Sequence, residues 1–210
     1  MVSSSDPDSN LKALKECLLD QVPIPPNQIY GIDESLLSPD STDLHKIVAR
    51  DYQERVFGTA LSDPESTDTD YLLDIVLLGF GPDGHTASLF PNHELLNEHE
   101  LLVAGIQDSP KPPPKRITLS MKVFNQLSRN VIFVGAGESK APILKDIFDR
   151  VHLTSEGHGH SKECVVEMKA VEEQQYPCGM IRPRGGGLVY VTDSSGAQDL
   201  ELIANCCSLL

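Results

Sequence analysis

The chain has no tryptophan, and aromatic residues make up 5% of it, so its core is expected to rest on aliphatic side chains. No apolar run approaches the ~20 residues needed to cross a bilayer. The first ten residues, MVSSSDPDSN, lack the charged and apolar regions of a secretory signal. The cysteines Cys17, Cys164, Cys178, Cys206 and Cys207 form no CxxC and no Cys/His zinc spacing, which leaves reduced thiols in a cytoplasmic protein as the simple reading. Basic residues are scarce where acidic ones are dense: residues 1–100 carry 5 Lys/Arg against 19 Asp/Glu, and residues 101–210 carry 12 of each. The overall charge of −14 argues against nucleic acid as a partner. An anionic ligand would have to find its cations in the second half, at a locally basic site.

The 210 residues, 40% hydrophobic, suffice for one core and one domain, 1–210. That domain is organised around DIVLLGFGPDGHTASLFP, Asp74–Pro91. Asp74–Leu78 reads as a buried, parallel strand. Gly79, Gly81, Pro82 and Gly84 then break the backbone into a sharp turn that a ligand can approach closely. Asp83 and His85 lie in this turn, past the carboxyl end of the strand, where open α/β sheets bind ligands. A helix is expected to start at Thr86–Phe90, its free N–H groups favouring an anion. Histidine is suited to general-base work, with Asp83 orienting it. The same residues also suit a structural turn, with Asp83 as helix cap.

Elsewhere, Ser9 or Asp8 is expected to cap a helix through about Asp20, and a short strand is expected over Gln28–Ile32. A second helix is expected over 42–57, and an acidic loop over Leu61–Asp70. Strands are expected over Leu101–Ile106, Ile117–Leu119, Val131–Val134 and Leu188–Val191, and a Ser120-capped helix over Met121–Leu127. Between the first two of these strands, DSPKPPPKR (Asp108–Arg116) reads as a stiff polyproline-like loop holding Arg116, whose fork suits phosphate. An SH3-type partner is the other reading of that proline run. Gly135–Lys140 is a second strand–glycine–helix turn, with a helix expected over Ala141–Arg150 and Lys140 at its start. It does not match the nucleotide P-loop. The polar stretch 151–175, with His152, His158 and His160, reads as a flexible insertion, and a metal site there would lack a third ligand and a scaffold. A closing helix is expected over Ser195–Asn205, and the final Cys207-Ser-Leu-Leu matches the loose prenylation pattern, with an unmodified tail as the default.

GFGPDGHTASLFP resembles the signature of the 6-phosphogluconolactonases, part of a larger family that includes the glucosamine-6-phosphate deaminases. Further matches are SPKPPPKRITL at Ser109–Leu119, Gly137–Ala141, YPCGMIRP at Tyr176–Pro183, Asp8-Ser9-Asn10 and VPIPPNQIYGI at Val22–Ile32. The resemblance implies an α/β, Rossmann-like fold with a mainly parallel sheet and flanking helices. It implies hydrolysis of 6-phospho-D-glucono-1,5-lactone to 6-phosphogluconate in the pentose phosphate pathway, with no metal and no organic cofactor. On this resemblance His85 would activate water and Asp83 would orient it or assist proton transfer. Backbone N–H groups near Gly81 and Gly84 would hold an oxyanion, and Arg116 and Lys140 would bind phosphate. The implied partner is a small phosphorylated sugar lactone, without nucleic acid or membrane. Deaminases continue their Asp-Gly-His turn with Phe-Asn-Glu-Pro, whereas Ser88-Leu89-Phe90-Pro91 follows here. The family's earlier Ser-Gly-Gly loop and Asp-Glu-Arg segment do not occur in this sequence, so the domain is expected to be incomplete at its N-terminus and to expose apolar sheet and helix surface. That shortfall keeps a second reading in view: a non-catalytic isoform or phosphosugar-binding remnant.

Overall fold

The computed structural model describes residues 1–37, 41–61, 73–154 and 163–200. Its centre is a parallel sheet of three strands, β1 (Leu73–Gly79), β4 (Ser128–Val134) and β7 (Leu188–Val191), in the order β1-β4-β7. An antiparallel hairpin of β2 (Val103–Ile106) and β3 (Arg116–Leu119) lies in sequence between β1 and β4. The helices are α1 (Asn10–Cys17), α2 (Leu44–Leu61), α3 (Ala141–Ile147) and α4 (Pro177–Met180). This is the expected α/β architecture, a parallel sheet with flanking helices.

In register, Val76 faces Val131 and Leu78 faces Phe133, and these side chains point into one core with Phe124, Ile143, Leu144, Ile147, Cys178 and Ile181. Most of this core is aliphatic, as expected, with one aromatic group inside it. Phe133 stacks on Tyr190 with ring centroids 4.6 Å apart, and Phe80 meets both rings edge-on. These three rings lie beneath the carboxyl end of the sheet, where edge-to-face contacts add to their buried area. A second cluster joins Ala49 and Phe57 of α2 to Leu102, Val103 and Val123. There β2 comes so close to α2 that a Cβ on Gly105 would collide with the His45 carbonyl.

The other face of the sheet departs from the expectation of a strand buried on both sides. Ile75 and Leu77 are 62% and 69% exposed, and Val134, Val189 and Val191 stand about half exposed beside them. Parallel pairing puts Leu77, Ile132 and Val189 in one row and Val134 and Val191 in the next, so the apolar side chains form a continuous strip.

Several element boundaries differ from the sequence reading. Ser9 is the cap of α1, its Oγ accepting from the Lys12 N–H, but the helix stops at Cys17 and a 3-10 turn follows over Leu19–Gln21. No strand forms at 28–32; a 3-10 turn over Pro26–Gln28 leads into irregular chain. Ser120 starts the next helical turn through its carbonyl, while its buried Oγ makes no hydrogen bond, and residues Val123–Leu127 widen into a π-helix. α3 ends at Ile147, where β5 (Phe148–Thr154) begins and pairs antiparallel with β6 (Glu163–Met168). The arms of the expected loop insertion are therefore a β-ladder. Residues 195–200 are turns rather than helix. The rest of that expected helix, the C-terminal tail, most of the acidic loop after Leu61, and His158 and His160 lie outside the described residues. No helix among the described residues is long and apolar enough to cross a membrane.

Candidate active site

The glycine turn after β1 folds back on itself. The Gly81 N–H donates to the His85 carbonyl (2.9 Å), the Gly84 N–H donates to the Gly81 carbonyl (2.9 Å), and the buried Thr86 hydroxyl donates to the Gly79 carbonyl (2.8 Å). Gly84 has φ +79°, and Ala87 also sits at positive φ (51°). The expected helix over Thr86–Phe90 does not form. Ala87 is left-handed, and the Thr86 and Leu89 backbones bond only each other. No helix N-terminus is therefore presented to an anion at this point. Oxyanion donors are expected near Gly81 and Gly84; the N–H groups of these two glycines themselves bond inside the turn.

What those glycines provide is room. A Cβ on Gly81 would collide with both His85 Nδ1 and Asp83 Oδ1, so the absence of a side chain lets the two lie over the backbone. His85 Nδ1 is 2.5 Å from Asp83 Oδ1. Two acceptors would not approach so closely, so the proton is on Nδ1 and is donated to the carboxylate. In the neutral ring this tautomer puts the lone pair on Nε2. The imidazole stacks on the buried ring of Phe90, centroids 5.1 Å apart and planes 20° from parallel, which fixes its tilt. Burial raises the Asp83 carboxyl, but the hydrogen bonds from His85 and Lys111 outweigh it and bring the group down to about 2. Asp83 is thus a carboxylate at any pH where a histidine acts as a base.

Lys111 is the residue that sequence reasoning passed over. Its Nζ is 3.2 Å from Asp83 Oδ2 and 3.1 Å from His85 Nδ1. The only signal for it was its place in DSPKPPPKR, where attention went to the fork of Arg116. The structure gives Arg116 a different set of partners: Nε donates to the Pro113 carbonyl (2.9 Å), and one terminal amino group donates to the carbonyls of Lys111 (2.9 Å) and Pro112 (2.7 Å). The Ser109 N–H closes the loop on the Pro114 carbonyl (3.1 Å). The segment is thus a closed loop braced by arginine. It is not the extended helix that an SH3-type partner takes, and most of the fork's donors are committed to it.

Lys140, in the second glycine turn, donates from Nζ to the Phe80 carbonyl (2.7 Å) and lies 5.4 Å from the centroid of the Phe80 ring. That carbonyl opens the first turn, so the structure brings Lys140 to the rim of the Asp83–His85 site, as parallel pairing of β1 and β4 requires. A Cβ on Gly135 would come 2.6 Å from Phe80, so the chain must be bare there for the two turns to meet. Cys178, whose N–H donates to the Gly84 carbonyl, is fully buried beneath the turn, and burial pushes its thiol up to about 12. It is packing rather than a nucleophile. Two clefts, of about 960 and 580 Å³, lie against α2 and include neither Asp83 nor His85. Chemistry rather than concavity marks the site.

Residues 1–190 match the family model for glucosamine-6-phosphate isomerases/6-phosphogluconolactonase. The chain is 38% identical over 185 residues to the 6-phosphogluconolactonase of Rattus norvegicus and 36% identical to that of Homo sapiens; each match covers 88% of this chain and 59% of the relative. It therefore spans about three-fifths of the length of the curated relatives it matches. Among solved structures, 6-phosphogluconolactonase from Trypanosoma brucei superposes with a TM-score of 0.65 at 25% identity, covering 95% of this chain and 70% of that one. The turn that seats His85 on Asp83, the parallel sheet beneath it and these likenesses agree, and the chain belongs to the glucosamine-6-phosphate isomerase/6-phosphogluconolactonase family.

Proposed function

We propose that this chain hydrolyses 6-phospho-D-glucono-1,5-lactone to 6-phosphogluconate, a carboxylic-ester hydrolysis of the pentose phosphate pathway. The observation that carries the reading is the Asp83–His85 pair, held at the carboxyl end of a parallel sheet with Nδ1 on the carboxylate, so that Nε2 of the neutral ring is the basic nitrogen. In the step, Nε2 takes a proton from water as the water oxygen bonds to the lactone carbonyl carbon. The tetrahedral oxyanion then collapses, the bond from that carbon to the ring oxygen breaks, and the proton on Nε2 passes to the departing ring oxygen as an alcohol. The new carboxylic acid ionises to solvent, and His85 returns to its starting state. Asp83 keeps the ring in the working tautomer throughout and is a positioning residue.

Lys140 is assigned to the phosphate, because its ammonium sits at the rim of the same site. Arg116 is assigned to bracing the proline loop, with one terminal amino group left for a ligand. The names of the rat and human relatives favour the lactonase over the deaminase branch of the family. The same reading makes the chain one domain acting on a small phosphorylated sugar in the cytoplasm, without nucleic acid. The test is hydrolysis of freshly prepared lactone by the purified chain, against the spontaneous rate and the His85→Ala variant. Acceleration that the variant loses supports the reading. A folded wild type that leaves the spontaneous rate unchanged refutes it and favours the phosphosugar-binding alternative.

A further inference from the structure

The ammonium of Lys111 is the one group in the site with no role in the hydrolysis as described. It packs into the corner between the carboxylate and the ring: Oδ1 receives the imidazole proton at 2.5 Å, while Nζ lies 3.2 Å from Oδ2, 3.4 Å from Oδ1 and 3.1 Å from His85 Nδ1. With the Nδ1 proton given to Oδ1, Nδ1 has no lone pair for the ammonium, so the carboxylate is what holds Lys111. Its position comes from a built support. The Lys111 carbonyl accepts from the Arg116 guanidinium and from the Ser109 hydroxyl (2.8 Å), and the Lys111 N–H donates to the same hydroxyl (3.3 Å). Arg116, 31 to 33 residues further on than the pair, thus acts on it through one lysine. The carboxylate is 43% exposed and, among the described residues, accepts no backbone hydrogen bond. Among the described residues, His85 and Lys111 are the two groups that hold it, and His85 is the group it must itself orient.

We propose that Lys111 is a positioning residue. By holding Oδ2, it aims Oδ1 at Nδ1 and keeps His85 in the Nδ1–H tautomer, with Nε2 free as the base. The inference rests on the reading of His85 as that base. Without the ammonium, the carboxylate can rotate into solvent, the ring loses its fixed acceptor, and Nε2–H becomes the competing tautomer. In neutral histidine that tautomer generally predominates unless an acceptor holds the proton on Nδ1. Among the described residues, the charged groups in contact with the ring are Asp83 and Lys111, with uncharged Phe90 on its face and the Lys140 ammonium at the rim on the Phe80 carbonyl.

The experiment uses the full chain labelled with ¹⁵N-histidine. The nitrogen shifts of His85, assigned by its loss in His85→Ala, distinguish the two tautomers without any substrate. Wild type is expected to show Nδ1–H, Lys111→Met a mixture or Nε2–H, and Lys111→Arg the wild-type form. In parallel, Lys111→Met is expected to lower kcat by about tenfold to a hundredfold with KM little changed, the cost of a misaligned base, and Lys111→Arg to recover most of it. A tautomer that Lys111→Met leaves unchanged overturns the proposal, even where the variant melts earlier, because a role confined to bracing the loop would do only that. A tautomer that shifts in a chain whose wild type accelerates no lactone hydrolysis upholds the positioning role and refutes the lactonase reading instead.

Discussion

Two glycine turns leave the carboxyl ends of the adjacent parallel strands β1 and β4, and they put similar sequence to different use. The turn after β1 closes on itself. The N–H groups of Gly81, Gly84, Thr86 and Leu89 and the Thr86 hydroxyl bond within Gly79–Leu89, and the product is a seat for Asp83 and His85. The turn after β4 is held from outside. Gly137 takes φ +90° and ψ 158°, its N–H donates to Asp193 Oδ1 (2.9 Å), and the chain runs on into α3 with Lys140 at the junction. A closed turn can orient a base to a fraction of an ångström. An open one leading to a helix delivers a cation on a long side chain. The contrast teaches that glycine content predicts a turn, while the destination of its N–H groups decides what the turn is for.

The comparison breaks first at the base. His85→Ala is expected to lower kcat for the lactone by about a hundredfold to ten-thousandfold, the usual worth of a positioned base, measured after subtraction of spontaneous hydrolysis. Lys140→Met tests the second turn. It is expected to raise KM by about tenfold or more with a smaller change in kcat, since a charge-assisted contact to a distant phosphate serves substrate and transition state alike. An equal fall in kcat would place Lys140 with the reacting atoms instead.

The glycines themselves sharpen the contrast in stability. A Cβ on Gly84 would meet the Tyr176 ring as well as a positive φ, so Gly84→Ala is expected to cost about 2–6 kcal/mol in denaturant unfolding. At Gly137 nothing lies within 4 Å, and Gly137→Ala is expected to cost about 1–3 kcal/mol from its backbone alone. The smallest effect is on pH. Asp83 titrates at about 2 in the folded chain, below the ~3.9 of an unfolded aspartate, so folding favours its ionised form. That stabilisation is complete above about pH 4 and fades as pH falls through the folded value. Asp83→Asn should therefore narrow the drop in melting temperature between about pH 5 and pH 3, slightly, because the carboxylate is partly exposed.

The site was legible in part because its parts are local. Asp83 and His85 are two residues apart, with Gly84 between them and Gly81 just before, so a single turn announces the chemistry. Arg116 is less legible for the opposite reason. Fork geometry suits phosphate as well as it suits backbone carbonyls, and only the folded loop shows that Nε and one terminal amino group go to the Pro113, Lys111 and Pro112 carbonyls. Lys111 was missed because its partners lie 26 and 28 residues away.

The sequence by itself determined the alternation of strands and helices, the parallel direction of β1, β4 and β7, the Ser9 cap, and the turn that carries the base. These follow from hydrophobic period, glycine and proline, which act over a few residues. Tertiary structure alone decided which N–H groups the glycines give up, that Thr86–Phe90 is not a helix, that residues 148–168 include a β-ladder, and which face of the sheet is buried. Ile75 and Val76, like Leu77 and Leu78, are neighbours of nearly the same apolarity. Val76 and Leu78 enter the core because Val131, Phe133 and the helices lie on their side, and Ile75 and Leu77 point the other way because successive side chains in a strand alternate.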